Sequence, residues 1–159
     1  MKAAVLREIN KHLEVEEVSI DNPGPNEVLV RTRATGVCHS DLHFVEGKYR
    51  IRMPAVLGHE AAGTVESVGN LVTYVQPGDS VILCLSVFCG HCEYCLRGQP
   101  HLCTRTDVVR GPDEPPRLSQ HGEAITQFAQ LGTYAESMLV HEHSLVKVDN
   151  DVPFDRLAL

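Results

Sequence analysis

Residues 89–103 read CGHCEYCLRGQPHLC, and the interpretation of the whole chain starts from this stretch. Its four cysteines, Cys89, Cys92, Cys95 and Cys103, are separated by two, two and seven residues within a polar segment. Such a loop cannot take its shape from buried side chains, but four thiolates holding Zn²⁺ at about 2.3 Å fix the backbone around one tetrahedral centre. We therefore predict a structural zinc site in which all four positions of the ion are closed to water.

Three other interpretations of the cysteines remain open. Cysteines two residues apart rarely form a good disulfide, and no secretory signal indicates an oxidising compartment. An iron–sulfur cluster fits the first three cysteines, although the fourth comes seven residues later without a following proline. A nucleic-acid zinc finger conflicts with the net charge of −7 and with the lack of a flanking Lys/Arg stripe. His91 lies inside the cluster and is a competing ligand.

Length and composition predict one domain, residues 1–159, with a zinc-bearing lobe at about 86–106. A chain of 159 residues buries about 68–70% of its unfolded surface, so its core does not depend on metal. The apolar runs are too short to span a membrane, and the acidic composition argues against a nucleic-acid partner. Six cysteines without an export signal indicate a reducing, cytoplasmic location.

Short strands separated by Gly/Pro turns predict a mainly β chain, folded as a barrel or a sandwich. Strands are predicted within 5–20, at Glu27–Thr35, Ala61–Val68, 80–87, 134–140 and Leu145–Val148. A short helix is predicted from an N-cap at Ser40 to Gly47, with a helical turn at 93–97 and a helix start at 151–153. The Gly- and Pro-rich segment 107–120 predicts a surface excursion. Cys84 is expected in the core, and His141 and His143 at a solvated edge.

A second constellation joins two separate stretches, Cys38-His39-Ser40-Asp41 and Gly58-His59-Glu60. A thiolate and an imidazole are good zinc ligands, and catalytic zinc usually takes three protein ligands and keeps one open position. Two ligands do not make a stable site, so a third is required. A core Cys38 with His43 on a helix surface is the alternative.

These motifs resemble the zinc-containing medium-chain alcohol dehydrogenases. The resemblance rests on Gly58-His59-Glu60-Ala-Ala-Gly63 followed by Gly69 and Val72, on Gly36-Val-Cys38-His-Ser40-Asp41, on Pro77-Gly78-Asp79-Ser-Val81, and on the cysteine quartet. The matches occur in the family's order and cover most of residues 1–149, most weakly over 104–130. The resemblance implies the amino-terminal catalytic region of such an enzyme, a GroES-like irregular β-barrel with few short helices.

The resemblance also implies a role for each matching residue. Cys38 and His59 would be ligands of a catalytic zinc, and Glu60 would be an inner-shell or exchange ligand. Asp41 would orient His59 through a hydrogen bond. The implied proton path consists of Ser40 and His43, the implied contact to the cofactor pyrophosphate is His39, and the implied structural-zinc ligands are Cys89, Cys92, Cys95 and Cys103.

The implied reaction is reversible oxidation of an alcohol to an aldehyde or ketone by hydride transfer to NAD or NADP. No G-x-G-x-x-G occurs in the sequence, so we expect the family's α/β Rossmann domain and its third zinc ligand, after Leu159, to be missing. We therefore expect the chain alone to be inactive and to retain about one tight zinc. Full-length members are expected to form homodimers or homotetramers. A zinc-free quinone-reductase-like relative and a non-catalytic zinc-stabilised module are the alternative functions.

Overall fold

The computed structural model describes residues 1–104, 107–149 and 151–159. Short strands make up most of its regular structure. In chain order they are β1 (Lys2–Leu6), β2 (Glu14–Glu17), β3 (Ser19–Ile20), β4 (Glu27–Thr35), β5 (Ala55–Val56), β6 (Ala61–Val68), β7 (Ser80–Leu83), β8 (Leu118–Gln120), β9 (Glu123–Ala124), β10 (Thr126–Gln127), β11 (Ser137–His141) and β12 (Leu145–Val148). The α-helices are α1 (His39–Val45), α2 (Glu93–Leu96) and α3 (Phe154–Leu157), and 3₁₀ turns lie at Pro100–Leu102, Phe128–Gln130 and Glu142–Ser144.

The largest sheet is antiparallel, with the order β11-β4-β6-β7-β12. Its second strand, β4, lies between β11 and β6 and places Val28 and Val30 in the core, where both are fully buried. A side chain at Gly63 on β6 would collide with the carbonyl oxygen of Arg31 on β4, so glycine permits the close approach of these two strands. The sheet thereby fixes where β4 ends and where β6 begins, and both candidate ligand stretches lie at these ends.

Two smaller sheets complete the architecture, with the orders β10-β5-β1-β2 and β3-β8-β9. They share a second core that includes Val5, Val56 and Leu118. Strands β5 and β10 pair in parallel, whereas β1 pairs with both of its neighbours antiparallel. The prediction of a mainly β chain with a few short helices is confirmed. Among the described helices, none has both the length and the apolar character needed to cross a membrane.

A buried carboxylate anchors the segment 107–118 to the main sheet. Glu27, at the start of β4, is 5% exposed and accepts hydrogen bonds from Arg117 Nε at 2.6 Å and Arg110 Nη2 at 2.6 Å. Burial alone would raise the pKa of Glu27, but hydrogen bonds from Arg110 and Gly24 N–H and the charge of Arg117 lower it. Residues 111–116 are exposed as predicted, but the segment's ends are held by this cluster.

Two local predictions were wrong. The N-cap of α1 is Cys38 and not Ser40, which already lies in the first helical turn. The predicted end of this helix is confirmed, because Gly47 follows the C-cap with a positive φ of 71°. Cys84 is exposed and not a core residue, because β7 ends at Leu83 and does not continue to residue 87 as predicted.

The prediction of a solvated edge at His141 and His143 was also wrong. His141 is 8% exposed, and its Nδ1 accepts a hydrogen bond from the backbone N–H of His143 at 3.1 Å. The His143 ring stacks on Phe88 with its centroid 4.6 Å away. Burial, together with the charges of His143 and Arg117, lowers the pKa of His141 to about 4.

Candidate metal centres

The four cysteines of residues 89–103 converge on one point. Their sulfur atoms all lie within 4.8 Å of one another, and the Cys92–Cys95 and Cys89–Cys95 pairs are 3.5 and 3.9 Å apart. Tetrahedral thiolates at about 2.3 Å from zinc are about 3.8 Å from each other, so the spacing fits the ion. It is far longer than the roughly 2.05 Å of a disulfide, and all four cysteines are free.

Backbone N–H groups hold the sulfur atoms in place. Cys89 Sγ accepts from the N–H groups of Cys92 at 3.3 Å and His91 at 3.5 Å, and Cys103 Sγ accepts from Cys89 N–H at 3.3 Å. Cys92 is the N-cap of α2 and Cys95 lies within that helix. The loop has this shape because the turn at Gly90 has a φ of +85°, which glycine adopts without strain.

Other hydrogen bonds within the loop favour the thiolate form of Cys92. The backbone N–H of Cys95 and the neighbouring thiols lower the pKa of Cys92 to about 6, against the effect of burial. Burial raises the pKa of Cys95 to about 11. Four thiols packed this closely cannot all ionise without a cation, so metal binding would release protons.

His91 is not among the four converging ligands. Its Nδ1 lies 3.1 Å from the carbonyl oxygen of Cys89, and its Nε2 lies 3.1 Å from Asp107 Oδ2. Its side chain is 59% exposed, although a ligand atom of His91 lies within 4.8 Å of ligand atoms of both Cys89 and Asp107. Of the predicted lobe 86–106, residues 105 and 106 lie outside the described residues.

The second constellation also converges. Ligand atoms of Cys38, His59 and Glu60 lie within 4.8 Å of one another. Cys38 stands at the start of α1, just after β4, and His59 and Glu60 immediately precede β6. The structure thus brings together two stretches that are separate in the sequence. It places Glu60 Oε1 4.0 Å from His59 Nε2, on the side of the ring away from Asp41.

Asp41 lies beside His59 as a buried carboxylate and is 4% exposed. It accepts hydrogen bonds from Gly58 N–H at 2.9 Å and from the Tyr134 hydroxyl at 2.9 Å. His59 Nδ1 lies 3.5 Å from Asp41 Oδ1 and is buried without a hydrogen-bond partner among the described residues. Burial, and then the hydrogen bond and charge of Asp41, raise the pKa of Tyr134, which therefore remains a neutral donor.

Gly58 makes this close packing possible. Its φ is +89°, and a Cβ there would collide with Thr133 Oγ1 and with the ring of Tyr134. Thr133 and Tyr134 in turn donate their backbone N–H groups to the carbonyl oxygens of Gly58 and Leu57. The peptide that precedes His59 is therefore fixed against the stretch that follows the Phe128–Gln130 turn.

The other predicted site residues lie on α1. Ser40 Oγ is 3.5 Å from Cys38 Sγ. His43 is half-buried, its Nδ1 has no hydrogen-bond partner in the described chain, and its ring lies 4.7 Å from that of His39. The side chain of His39 is exposed. No direct hydrogen bond joins Ser40 to His43 in the described residues.

Sequence reasoning did not single out Tyr134 or Phe128. Phe128 meets the His59 ring edge-on at 5.3 Å and packs against Phe44 at 4.5 Å. Phe128 lies in a stretch without clear periodicity, so no local pattern marks it. The predicted strand at 134–140 contains Tyr134, but nothing in the alternation indicates a hydroxyl directed at Asp41.

Comparisons with known proteins agree with this geometry. Residues 24–150 match the family described as alcohol dehydrogenase GroES-like domain. The chain is 40% identical over 161 residues to an NDMA-dependent alcohol dehydrogenase of Amycolatopsis methanolica, covering 99% of this chain and 43% of that protein. Two solved structures are each 35% identical over 99% of this chain. They are an alcohol dehydrogenase zinc-binding domain protein from Burkholderia ambifaria (TM-score 0.89, 44% of that chain) and a benzyl alcohol dehydrogenase from Acinetobacter calcoaceticus (TM-score 0.85, 43% of that chain).

Proposed function

Because this chain belongs to the alcohol dehydrogenase GroES-like domain family, we propose that it is the metal-binding region of a zinc-dependent alcohol dehydrogenase. The proposed reaction is reversible oxidation of an alcohol to an aldehyde or ketone with NAD or NADP. The chain spans less than half the length of the curated relatives it matches, 43–44%. The observation that carries the proposal is the convergence of Cys38, His59 and Glu60 above a buried Asp41.

The donor set fits zinc. One thiolate, one imidazole and one carboxylate are ligands that Zn²⁺ accepts, and three protein ligands leave a position for substrate. His59 Nε2 faces Glu60, whereas His59 Nδ1 faces Asp41. Asp41 would therefore hold the proton on Nδ1 and leave Nε2 free to coordinate. A zinc ion bound there would supply a Lewis acid that makes an alcohol more acidic and polarises a carbonyl.

Ser40 and His43 are proposed to carry the proton away from the alcohol. Ser40 Oγ lies 3.5 Å from the Cys38 sulfur, so it stands beside the proposed ligand set. His43 Nδ1 is buried, makes no hydrogen bond among the described residues and lies 3.9 Å from Glu46 Oε2, so this ring nitrogen is proposed as the next proton acceptor. Their lack of a direct hydrogen bond means that another group would have to bridge them. His39, exposed on the same helix, is the proposed contact to the cofactor pyrophosphate.

The quartet Cys89, Cys92, Cys95 and Cys103 is proposed to hold a second, structural zinc. Its four sulfur atoms complete the coordination shell, so that ion would not meet substrate. The proposed enzyme acts in the cytoplasm as a homodimer or homotetramer.

The aromatic side chains near His59 favour the proposal of a substrate with an apolar or aromatic substituent. Phe128 contacts both His59 and Phe44, and Phe44 lies 5.6 Å from Tyr49 between ring centroids. This group of rings borders the proposed metal position. The benzyl alcohol dehydrogenase of Acinetobacter calcoaceticus is similar to 99% of this chain, which covers 43% of that enzyme.

Cobalt substitution tests the proposal through metal binding, without depending on turnover. Co²⁺ bound to thiolates gives charge-transfer absorption, so each site reports its own occupancy. We expect one tightly bound ion and one weaker ion, with Cys95→Ser removing the first and Cys38→Ser or His59→Gln removing the second. Cys84→Ser, a change at an exposed cysteine, should affect neither. Absence of a second ion at excess Co²⁺, or its persistence in Cys38→Ser, would contradict the proposal.

A further inference from the structure

A cavity of about 340 Å³ lies beside the Phe128–Gln130 turn. Three arginines line it, Arg52, Arg110 and Arg117, and none of its lining residues is Asp or Glu. It shares no lining residue with the group of Cys38, His59 and Glu60. A cavity wall with three guanidinium groups and no carboxylate favours a negatively charged ligand.

The three arginines differ in how many donors they have left. Arg110 directs all its nitrogens at acceptors, which are the carboxylates of Glu27 and Asp21 and two carbonyl oxygens. Arg117 donates Nε to Glu27 and makes two long contacts, at 3.4 Å to Gln130 Oε1 and 3.3 Å to a carbonyl oxygen. A guanidinium has five N–H groups, so Arg117 keeps two without an acceptor in the described residues.

Arg52 has no acceptor among the described residues and is exposed at the mouth of the cavity. Glu27 and Asp21 lie behind the wall and balance two of the three positive charges. The uncompensated charge is therefore that of Arg52. Arg117, 7% exposed, supplies buried donors deeper in the same cavity.

The remaining lining is mixed. Val109, Ala124 and Ile125 are apolar, and Thr126 offers a hydroxyl. The volume is within the range of small-molecule sites, which are mostly apolar with a few convergent polar groups. This composition fits an organic molecule that carries one oxyanion and a small apolar body better than it fits a bare ion.

We propose that this cavity binds the oxyanion of a small organic molecule, a carboxylate or a phosphate, through the free N–H groups of Arg52 and Arg117. Guanidinium groups bind both anions with two parallel hydrogen bonds. The inference goes beyond the proposed oxidoreductase and does not depend on it, because no metal ligand takes part.

Isothermal titration of the zinc-loaded protein with phenyl phosphate and with benzoate, which share the same apolar ring, at matched ionic strength in chloride, tests this site. At least one of the two should bind saturably, and which one binds identifies the oxyanion. Arg52→Gln should weaken that binding at least tenfold, and Arg52→Lys should weaken it less, because lysine keeps the charge and loses the two-pronged geometry.

Arg50→Gln is the matched control. Arg50 is exposed, lies two positions away and does not line the cavity, so its loss should leave binding unchanged. Thermal unfolding in chloride should be alike for the wild type and the Arg50 and Arg52 variants, which shows that all are folded. No saturable binding of either anion, or an equal loss in Arg50→Gln and Arg52→Gln, would overturn the proposal.

Discussion

Replacing Glu27 with glutamine should destabilise the protein by about 3–5 kcal/mol, the usual cost of breaking a buried ion pair from one side. The glutamine keeps the shape of the side chain and removes its charge. Two arginine side chains, 6% and 12% exposed, would then remain buried beside an uncharged amide.

The hydrogen bonds lead to the same magnitude. Glu27 accepts from Arg117 Nε at 2.6 Å, from Arg110 Nη2 at 2.6 Å and Nε at 3.1 Å, and from Gly24 N–H at 2.8 Å. Glutamine has one acceptor oxygen, and its NH₂ group would face donors. We expect about two of these bonds to be lost, and hydrogen bonds to charged groups contribute roughly 1.5–3 kcal/mol each.

Urea unfolding of the zinc-loaded protein measures the loss, provided that the denaturant slope stays constant between variants. Glu136→Gln is the control, because Glu136 is exposed and also accepts a backbone N–H, from Lys2. The control should cost less than about 1 kcal/mol. A loss for Glu27→Gln no larger than that of the control would refute the argument.

Acid titration gives the same prediction a second readout. The pKa of Glu27 is lowered from its ordinary value of 4.5 when the protein folds. Its stabilising contribution is therefore fully present above about pH 4.5 and is lost as the pH falls through the folded-state pKa. The difference between wild type and Glu27→Gln should shrink over that acidic range.

Three further predictions concern the metal loop, the turn before the second site and a buried histidine. Chelation of zinc should lower the melting temperature of the wild type more than that of Cys95→Ser, which has already lost the structural ion; an equal drop in both would contradict a structural zinc. Gly58→Ala should cost at least about 2 kcal/mol more than Gly78→Ala in urea unfolding, since both have positive φ but only Gly58 meets other side chains. Equal costs at the two positions would show that the positive φ alone determines the loss of stability, without a contribution from side-chain collisions at Gly58. Stability relative to His141→Asn should rise by about 3 kcal/mol from pH 4 to pH 7, because the pKa of His141 is about 4 in the folded protein and about 6.5 when unfolded. A flat difference across that range would mean that His141 is not buried in its neutral form.

The long strands were predictable because their patterns are unambiguous. The predicted strands Glu27–Thr35 and Ala61–Val68 agree with the structure at both ends. Their patterns are clear, and each strand is followed directly by a glycine. The edge strand β2 was harder. Alternation within 5–20 predicts half-buried strands, but Val15 on β2 is 72% exposed.

The segment that follows the cysteine loop could not be predicted from local pattern. Strands β8, β9 and β10 have two or three residues each, too few for a period to be recognised. His141 pairs with Glu27 across β11 and β4, and Glu27 accepts a hydrogen bond from Arg117, although the three residues are distant in sequence. Local sequence contains no signal for such contacts.

The two candidate metal sites also differ in how far local sequence predicts them. The cysteine quartet is predictable from spacing alone, because its ligands occupy one short loop. Spacing left the pairing of Cys38 with His59 open, and the family resemblance was needed to bring in Glu60. The structure supplied what neither could, the Tyr134–Asp41 hydrogen bond and the Phe128 contact with His59.

The two ligand sets also differ in when a growing polypeptide completes them. Cys89 and Cys103 enclose a short loop, whose closure costs little chain entropy and is fast. Asp41 is held by Tyr134, 93 residues later. If both sets hold metal as proposed, the thiol loop is ready to capture an ion as soon as it leaves the ribosome. The hydrogen bond from Tyr134 to Asp41, which lies beside His59, forms only after residue 134 has been translated.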